Sequence, residues 1–254
     1  MALSECPPKR IIVVTDLDGT LLDHDTYDCR PVLPLIDRLQ QHDIPLIANT
    51  SKTSAEWLHL RQKFHNTAPF IIENGSALHD LKKSPILLGA TRTEILAVID
   101  PLRPRFQFTG YSGATPQEIV DWTGLTHQEA LQSADRHYSE PLLWQDSPEA
   151  EKEFCQLIEE AGLKTLRGGR FLHVLGDTDK GKALAHLRSP GTHIIALGDR
   201  PNDAAMLAAA DTGIAIAAPD GVHHIPGSTF LRSSLPGPQG WAEMMTPLLD
   251  SLLR

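Results

Sequence analysis

Apolar residues fall in short unbroken runs along this chain, and the runs stop at polar or acidic residues. Ile11 to Thr15 ends at Asp16, and continuous rather than alternating hydrophobicity predicts a parallel strand covered on both faces. Ile44 to Ala48, Phe70 to Ile72, Ile194 to Leu197 and Ile214 to Ile216 repeat the pattern. Helical segments are predicted between them, at about Val32 to Gln41, Ser54 to Phe64, Gly181 to Leu187 and Asn202 to Ala210. Strand and helix in alternation predict an α/β protein with a doubly wound parallel sheet. From about Ser84 to Gly176 the alternation is broken by Pro residues, loops and longer helices near Pro116 to Asp121, Thr126 to Asp135 and Pro148 to Glu160. This segment is expected to be an α/β cap domain, residues 84–176, inserted into a core of residues 1–83 and 177–254. Ser233 to Gly240, rich in Ser, Pro and Gly, reads as a loop leading to a last helix near Trp241 to Leu253.

Composition narrows the class. The chain has 254 residues, 41% of them hydrophobic and 22% charged, which suits a globular protein with a sizeable core. No apolar run approaches the roughly 18 residues of a membrane helix. The formal net charge of −9 argues against nucleic acid or an anionic membrane as partner, since both are met first through positive charge. An anionic small substrate would need its own local cations. The N-terminal MALSECPPKR lacks the apolar stretch of a secretory signal, and Cys6, Cys29 and Cys155 are few and scattered, so a cytoplasmic location is expected. The 12 His residues show no HExxH or paired Cys/His spacing and read as surface or packing residues.

Two acidic segments carry the candidate chemistry. Asp16-Leu17-Asp18-Gly19-Thr20 follows the first predicted strand, and residues two apart on an extended chain face the same side. Gly198-Asp199-Arg200-Pro201-Asn202-Asp203 follows the strand at Ile194 to Leu197 in the same way. Either segment alone could be turn formers or helix caps. Two of them at equivalent strand ends favour one site, because ligands of open parallel sheets sit at the carboxyl ends where the winding reverses. Four convergent carboxylates repel one another and any phosphate, and Mg2+, which bridges carboxylates to phosphate oxygens, relieves that best. Thr50 ends the second predicted strand, and Thr53 with Glu56 has the spacing of a capping box, so a helix opens there and its free amides favour an anion. The Thr50 hydroxyl is therefore a candidate phosphate ligand. Lys180, at the start of the helix after the insert, is a candidate counter-charge.

Taken in order, DLDGT at 16–20, Thr50, Lys180 and GDRPND at 198–203 resemble the four signatures of the haloacid dehalogenase superfamily of phosphotransferases. The resemblance spans nearly the whole chain and implies a Rossmann-like core. An insert between the second and third signatures is similar to the branch whose large α/β cap closes over the core to select the substrate. Within that branch the chain resembles the mannosyl-3-phosphoglycerate phosphatase family, through TDLDGTLLDHDTY, NTSKT, ENG at 73–75, RHYSEP at 136–141 and GGRFLHV at 168–174. GPQGW at 237–241 is similar to a C-terminal family feature, for which a Gly/Pro loop anchoring Trp241 is a sufficient reading. Arg200, where a small residue is expected, and Ala218, where a basic one is common, depart from the pattern and bear on which sugar phosphate is used.

The resemblance implies roles residue by residue. Asp16 would be the nucleophile and Asp18 the acid and base, with Thr50 and Lys180 binding the transferring phosphoryl group. Asp16, the backbone carbonyl of Asp18 and Asp199 would hold Mg2+, supported by Asn202 and Asp203. Lys52, Asn74, Arg136, Ser139, Glu140, Arg170 and His173 would contact substrate, the two arginines taking the glycerate carboxylate. The implied activity is hydrolysis of a glycosyl-3-phosphoglycerate, mannosyl ahead of glucosyl, through an aspartyl-phosphate, as in the biosynthesis of mannosylglycerate, a compatible solute. A hexose phosphomutase, another phosphatase such as one for sucrose phosphate, and a noncatalytic phosphate-binding regulator are the alternatives.

Overall fold

The computed structural model describes residues 10–227 and 229–253; the segment 1–9, with Cys6, lies outside them. In chain order the strands are β1 (Arg10–Thr15), β2 (Leu46–Ala48), β3 (Phe70–Ile72), β4 (Ala77–His79), β5 (Ile86–Leu87), β6 (Phe108–Gly110), β7 (Ser139–Trp144), β8 (Leu163–Arg167), β9 (Leu172–Gly176), β10 (Thr192–Gly198), β11 (Thr212–Ala217) and β12 (Leu231–Pro236). The helices are α1 (Leu33–Gln41), α2 (Ser54–Leu60), α3 (Arg92–Ile99), α4 (Pro116–Thr123), α5 (His127–Ala134), α6 (Pro148–Glu160), α7 (Lys180–Leu184), α8 (Ala204–Ala209) and α9 (Gly237–Leu252). The described residues form two compact units, one within residues 10–49, 68–70 and 180–253 and the other of residues 50–67 and 71–179. Residues 50–67 and 71–83 thus group with the segment 84–176.

The first unit holds a parallel five-stranded sheet in the order β12-β11-β10-β1-β2. Alternate residues of its apolar runs face opposite sides. Ile12, Val14, Ile194, Ala196 and Ala215 join Leu184 of α7 and Met206 and Leu207 of α8 in one buried cluster. Val13, Ile195 and Ile214 are buried on the other side, where α9 lies along β11 and β12. Both faces are covered, as the unbroken hydrophobic runs predict. From β1 the sheet extends to β2 on one side and to β10 and β11 on the other, so the winding reverses between β1 and β10, the place where such sheets open a crevice.

Two elements differ from the sequence expectation. Phe70–Ile72 is a strand, but it belongs to a separate sheet, β3-β4-β5. Its three residues are buried like those of the parallel sheet, so hydrophobicity does not tell the two apart. The Ile71 carbonyl still accepts the N–H of Thr50, just past β2, at 3.1 Å. Ser233 to Gly240 is not a loop. It is the edge strand β12, paired in parallel with β11, followed at once by the first turn of α9. Side chains supply what apolar burial does not: Ser233 Oγ accepts the Ala217 N–H at 3.0 Å, and Glu243 of α9 accepts the N–H groups of Ser234 and Leu235 at 2.9 Å each.

The second unit is built on the antiparallel sheet β6-β7-β9-β8. Ile95 and Ile99 of α3 and Phe154 and Ile158 of α6 pack on Phe108, Leu142 and Val174. Burying such a side chain contributes about 1.5–3 kcal/mol. Helix α2 opens on the expected capping box, with Thr53 N–H donating to Glu56 Oε2 at 2.8 Å and Glu56 N–H to Thr53 Oγ1 at 3.2 Å. Among the described residues no helix is long and apolar enough to cross a membrane.

Candidate active site

Thr15 of β1 lies opposite Leu197 of β10, so Asp16 and Asp199 leave the sheet from neighbouring strand ends. The Asp16 N–H makes the last rung, to the Leu197 carbonyl at 2.9 Å. Lys180 Nζ, at the start of α7, donates to Asp16 Oδ1 and to Asp203 Oδ1, each at 2.6 Å. The other oxygen of Asp203 accepts the N–H groups of Asp199 (3.1 Å) and Arg200 (3.0 Å). Thr20 Oγ1 donates to Asp199 Oδ1 at 2.9 Å, and Asn49, just past β2, donates to the Lys180 carbonyl at 2.9 Å. Carboxylate oxygens of Asp16, Asp199 and Asp203 lie within 4.8 Å of one another. The close approach depends on Gly19: its φ is +82°, and a Cβ there would stand 2.6 Å from Asp199 Oδ2. Asp18 and Asn202 flank this cluster half-buried.

Charge in this crevice is unbalanced. Burial pushes the Asp16 carboxyl well above its ordinary value; Lys180 opposes that, and Asp203, Asp199 and Asp18 add to it. Burial and then Asp203 push Asp199 up to about 6, against the Thr20 hydrogen bond and Arg200. Burial by itself would lower Lys180, yet Asp16 and Asp203 outweigh it and hold the ammonium above the usual lysine value.

The remaining candidates lie in the second unit. Thr50 Oγ1 accepts the Lys52 N–H at 3.1 Å, its carbonyl accepts the Asn74 N–H at 2.9 Å, and Lys52 Nζ stands 3.6 Å from Glu56. Glu73 and Asn74 adopt left-handed backbone, with φ of +48° and +60°, a conformation that costs about 1–3 kcal/mol per residue. The buried Glu73 carboxylate offsets this by accepting the N–H groups of His137 (3.0 Å) and Tyr138 (3.1 Å) and the Ser139 hydroxyl (2.6 Å). Arg136 Nη1 donates to Ser139 Oγ at 2.9 Å, and its guanidinium lies over the Tyr111 ring. Glu140 is fully buried, accepting the Ser112 N–H and Arg92 Nε, both at 2.7 Å. Burial, then Arg136, bring His173 down to about 3, so it is neutral at pH values near 7. Arg170, in the turn between β8 and β9, is exposed.

The family model of haloacid dehalogenase-like hydrolases matches residues 13–102 and 146–222. The chain belongs to the haloacid dehalogenase-like hydrolases. Its fold is similar to that of BT1666 from Bacteroides thetaiotaomicron, described as a phosphatase of the haloalkanoate superfamily, with 18% identity over 98% of this chain and 99% of that one and a TM-score of 0.73. BT4131, described as a subclass IIB sugar phosphatase, matches with 16% identity over 93% of this chain and 98% of that one, TM-score 0.68. A Thermoplasma acidophilum protein, 0175, matches with 15% identity over 95% and 98% of the two chains, TM-score 0.70.

The acidic crevice of this haloacid dehalogenase-like hydrolase fits a hard divalent cation. Its donors are oxygens, three carboxylates meet one ammonium, and the buried Asp199 Oδ2 makes no hydrogen bond although Arg200 Nε is 3.1 Å away. Asp16 and Asp199 are the residues that would hold Mg2+. Both oxygens of Asp203 are already engaged by Lys180 and by backbone N–H groups, which suits it to orient its neighbours. Thr20, Asn49 and Glu73 carry contacts that spacing does not announce, although they lie inside the DLDGT, NTSKT and ENG motifs.

Proposed function

We propose that this hydrolase is a Mg2+-dependent phosphatase in which Asp16 takes the phosphoryl group from a small anionic sugar phosphate, a glycosyl-3-phosphoglycerate, with mannosyl favoured over glucosyl. The observation that carries the reading is Lys180 Nζ, buried and 2.6 Å from both Asp16 and Asp203. That ammonium opposes the burial that disfavours the Asp16 charge and fixes the carboxylate's direction. In the reaction an Asp16 oxygen attacks phosphorus while the ester P–O bond breaks and Asp18 protonates the departing alkoxide. A water deprotonated by Asp18 then attacks phosphorus, releasing phosphate and the Asp16 carboxylate. Bound Mg2+ would supply the charge that lets an anionic nucleophile meet an anionic phosphate. The sequence resemblance adds Thr50 as a phosphoryl ligand and assigns chemistry to residues 1–83 and 177–254 and specificity to 84–176. Subclass IIB sugar phosphatase activity, as described for BT4131, supports a sugar phosphate as the substrate class.

For specificity, the exposed Arg170 offers a guanidinium fork suited to a carboxylate and neutral His173 suits a sugar hydroxyl, whereas Ser139 is fully buried with its hydroxyl taken by Glu73 and Arg136. Glu140, committed to Arg92 and Ser112, would instead hold that surface in shape. A phosphate-release screen tests the reading. Mannosyl-3-phosphoglycerate should give the highest kcat/KM, glucosyl-3-phosphoglycerate the next, with activity lost to chelator and restored by Mg2+. Arg170→Ala should lower kcat/KM on the best substrate about 10- to 150-fold, the loss of one charge-assisted contact, and spare p-nitrophenyl phosphate. Equal losses on both esters would remove Arg170 from specificity. Turnover that demands a sugar bisphosphate and releases no phosphate would make the enzyme a mutase.

A further inference from the structure

The run Gly237-Pro238-Gln239-Gly240-Trp241 opens α9, and the reaction as drawn has no use for it. We infer that Trp241 and Thr15 are positioning residues that lock the Asp16 peptide and so tie the C-terminal helix to phosphoryl transfer; this rests on Asp16 being the nucleophile. The ladder between β1 and β10 ends at the Asp16 N–H, which donates to Leu197. The Asp16 carbonyl lies past the last rung, and a buried carbonyl without a donor is destabilising. Thr15 Oγ1 donates to it at 2.7 Å, and that hydroxyl accepts Trp241 Nε1–H at 3.2 Å.

The direction of this chain is forced. An indole N–H donates only, so once Trp241 occupies the Thr15 oxygen the hydroxyl proton is left to point at the Asp16 carbonyl. Thr15 and Trp241 are both 0% exposed, so water does not substitute for either partner. With the Asp16 N–H and C=O both held, its backbone dihedrals are set and its carboxylate points to Lys180. The indole is itself held in place. Gly237 has φ +52°, and a Cβ there would stand 3.9 Å from the Gly19 carbonyl oxygen and 4.0 Å from Asp23 Cα, so the helix begins against the nucleophile loop. Glu243, within the same helix, holds the Ser234 hydroxyl of β12 at 2.6 Å.

The test uses the full chain with p-nitrophenyl phosphate and saturating Mg2+, measuring kcat, KM and Tm for wild type, Asp16→Asn, Thr15→Val, Thr15→Ser, Trp241→Phe and the Thr15→Val/Trp241→Phe double variant. Trp241→Phe keeps an aromatic ring in the core and loses the N–H. Misplacing a nucleophile by an ångström costs on the order of 100-fold, so Trp241→Phe and Thr15→Val should lower kcat roughly 10- to 100-fold with KM within about twofold. Thr15→Ser, which keeps the hydroxyl, should recover most of the loss. The double variant should be no worse than the worse single one, because both break the same chain. A kcat near wild type in both single variants, additive losses, or Thr15→Ser as impaired as Thr15→Val with Tm falling in step, would each overturn the inference and leave packing alone. Turnover by Asp16→Asn would instead show that the nucleophile assignment beneath it had failed.

Discussion

Asp16→Asn is expected to lower kcat by about 10⁴-fold or more, the scale seen when a nucleophile is removed from a covalent mechanism, without lowering the melting temperature. The two halves of this expectation come from the same environment. Asn matches Asp in size but has no anionic oxygen to attack phosphorus. Burial raises the Asp16 pKa well above its ordinary value even against Lys180, which means that the folded protein disfavours the charge. Removing that charge relieves the penalty, and Lys180 keeps Asp203 as partner. Tm in the absence of metal should therefore hold or rise, while the stabilisation conferred by added Mg2+ should shrink. Loss of activity together with a fall in Tm would assign Asp16 a structural role.

Lys180→Met should show the reverse balance: a large loss of stability, partly restored by Mg2+, together with a loss of turnover. Lys180 is 1% exposed between two carboxylates, and removing one member of a buried ionic cluster typically costs about 3–5 kcal/mol. At this chain length that corresponds to roughly 6–20 °C in Tm. The pH dependence follows by sign. The raised pKa of Lys180 keeps its contribution fully present below the ordinary lysine value, to be lost only as the pH rises through the folded value. In the variant Asp16 loses the cation that opposes burial, so its pKa rises further. A carboxyl with a raised folded pKa binds more protons folded than unfolded, and stability then falls as pH rises. The deficit of Lys180→Met against wild type should accordingly be larger at about pH 8 than at about pH 5. Melting curves at the two pH values, with and without Mg2+, check this; a deficit independent of pH would show that the ammonium acts by packing alone.

The parallel sheet and the crevice at its edge were legible because both faces of the sheet are covered. Burial on two sides produces unbroken runs such as Ile11 to Thr15, and the acidic residues that end those runs mark the strand ends. Thr53 and Glu56 were legible because a capping box is local. Elements held by distant partners were not. β12 exposes Leu231 and Leu235 at 45% and 48% and is held by Glu243 of the following helix, so its composition reads as a loop. The left-handed backbone at Glu73 and Asn74 is compensated at His137, 64 positions away, where no spacing rule reaches. Trp241 is paired with Thr15 across 226 positions, which is why its motif stood out in sequence without an evident task.

Chemical trapping at position 16 tests directly whether Asp16 carries the phosphoryl group. Wild-type enzyme and Asp18→Asn, which keeps the nucleophile but lacks the group that activates water, are mixed with p-nitrophenyl phosphate and Mg2+, quenched in acid and reduced with borohydride. An acyl phosphate is reduced to the alcohol, so peptide mapping should find homoserine in place of Asp16, more abundant in Asp18→Asn and absent from Asp16→Asn. Phosphate release by the wild type with Asp16 unmodified under every quench, or homoserine at a different aspartate, would rule out Asp16 as the nucleophile.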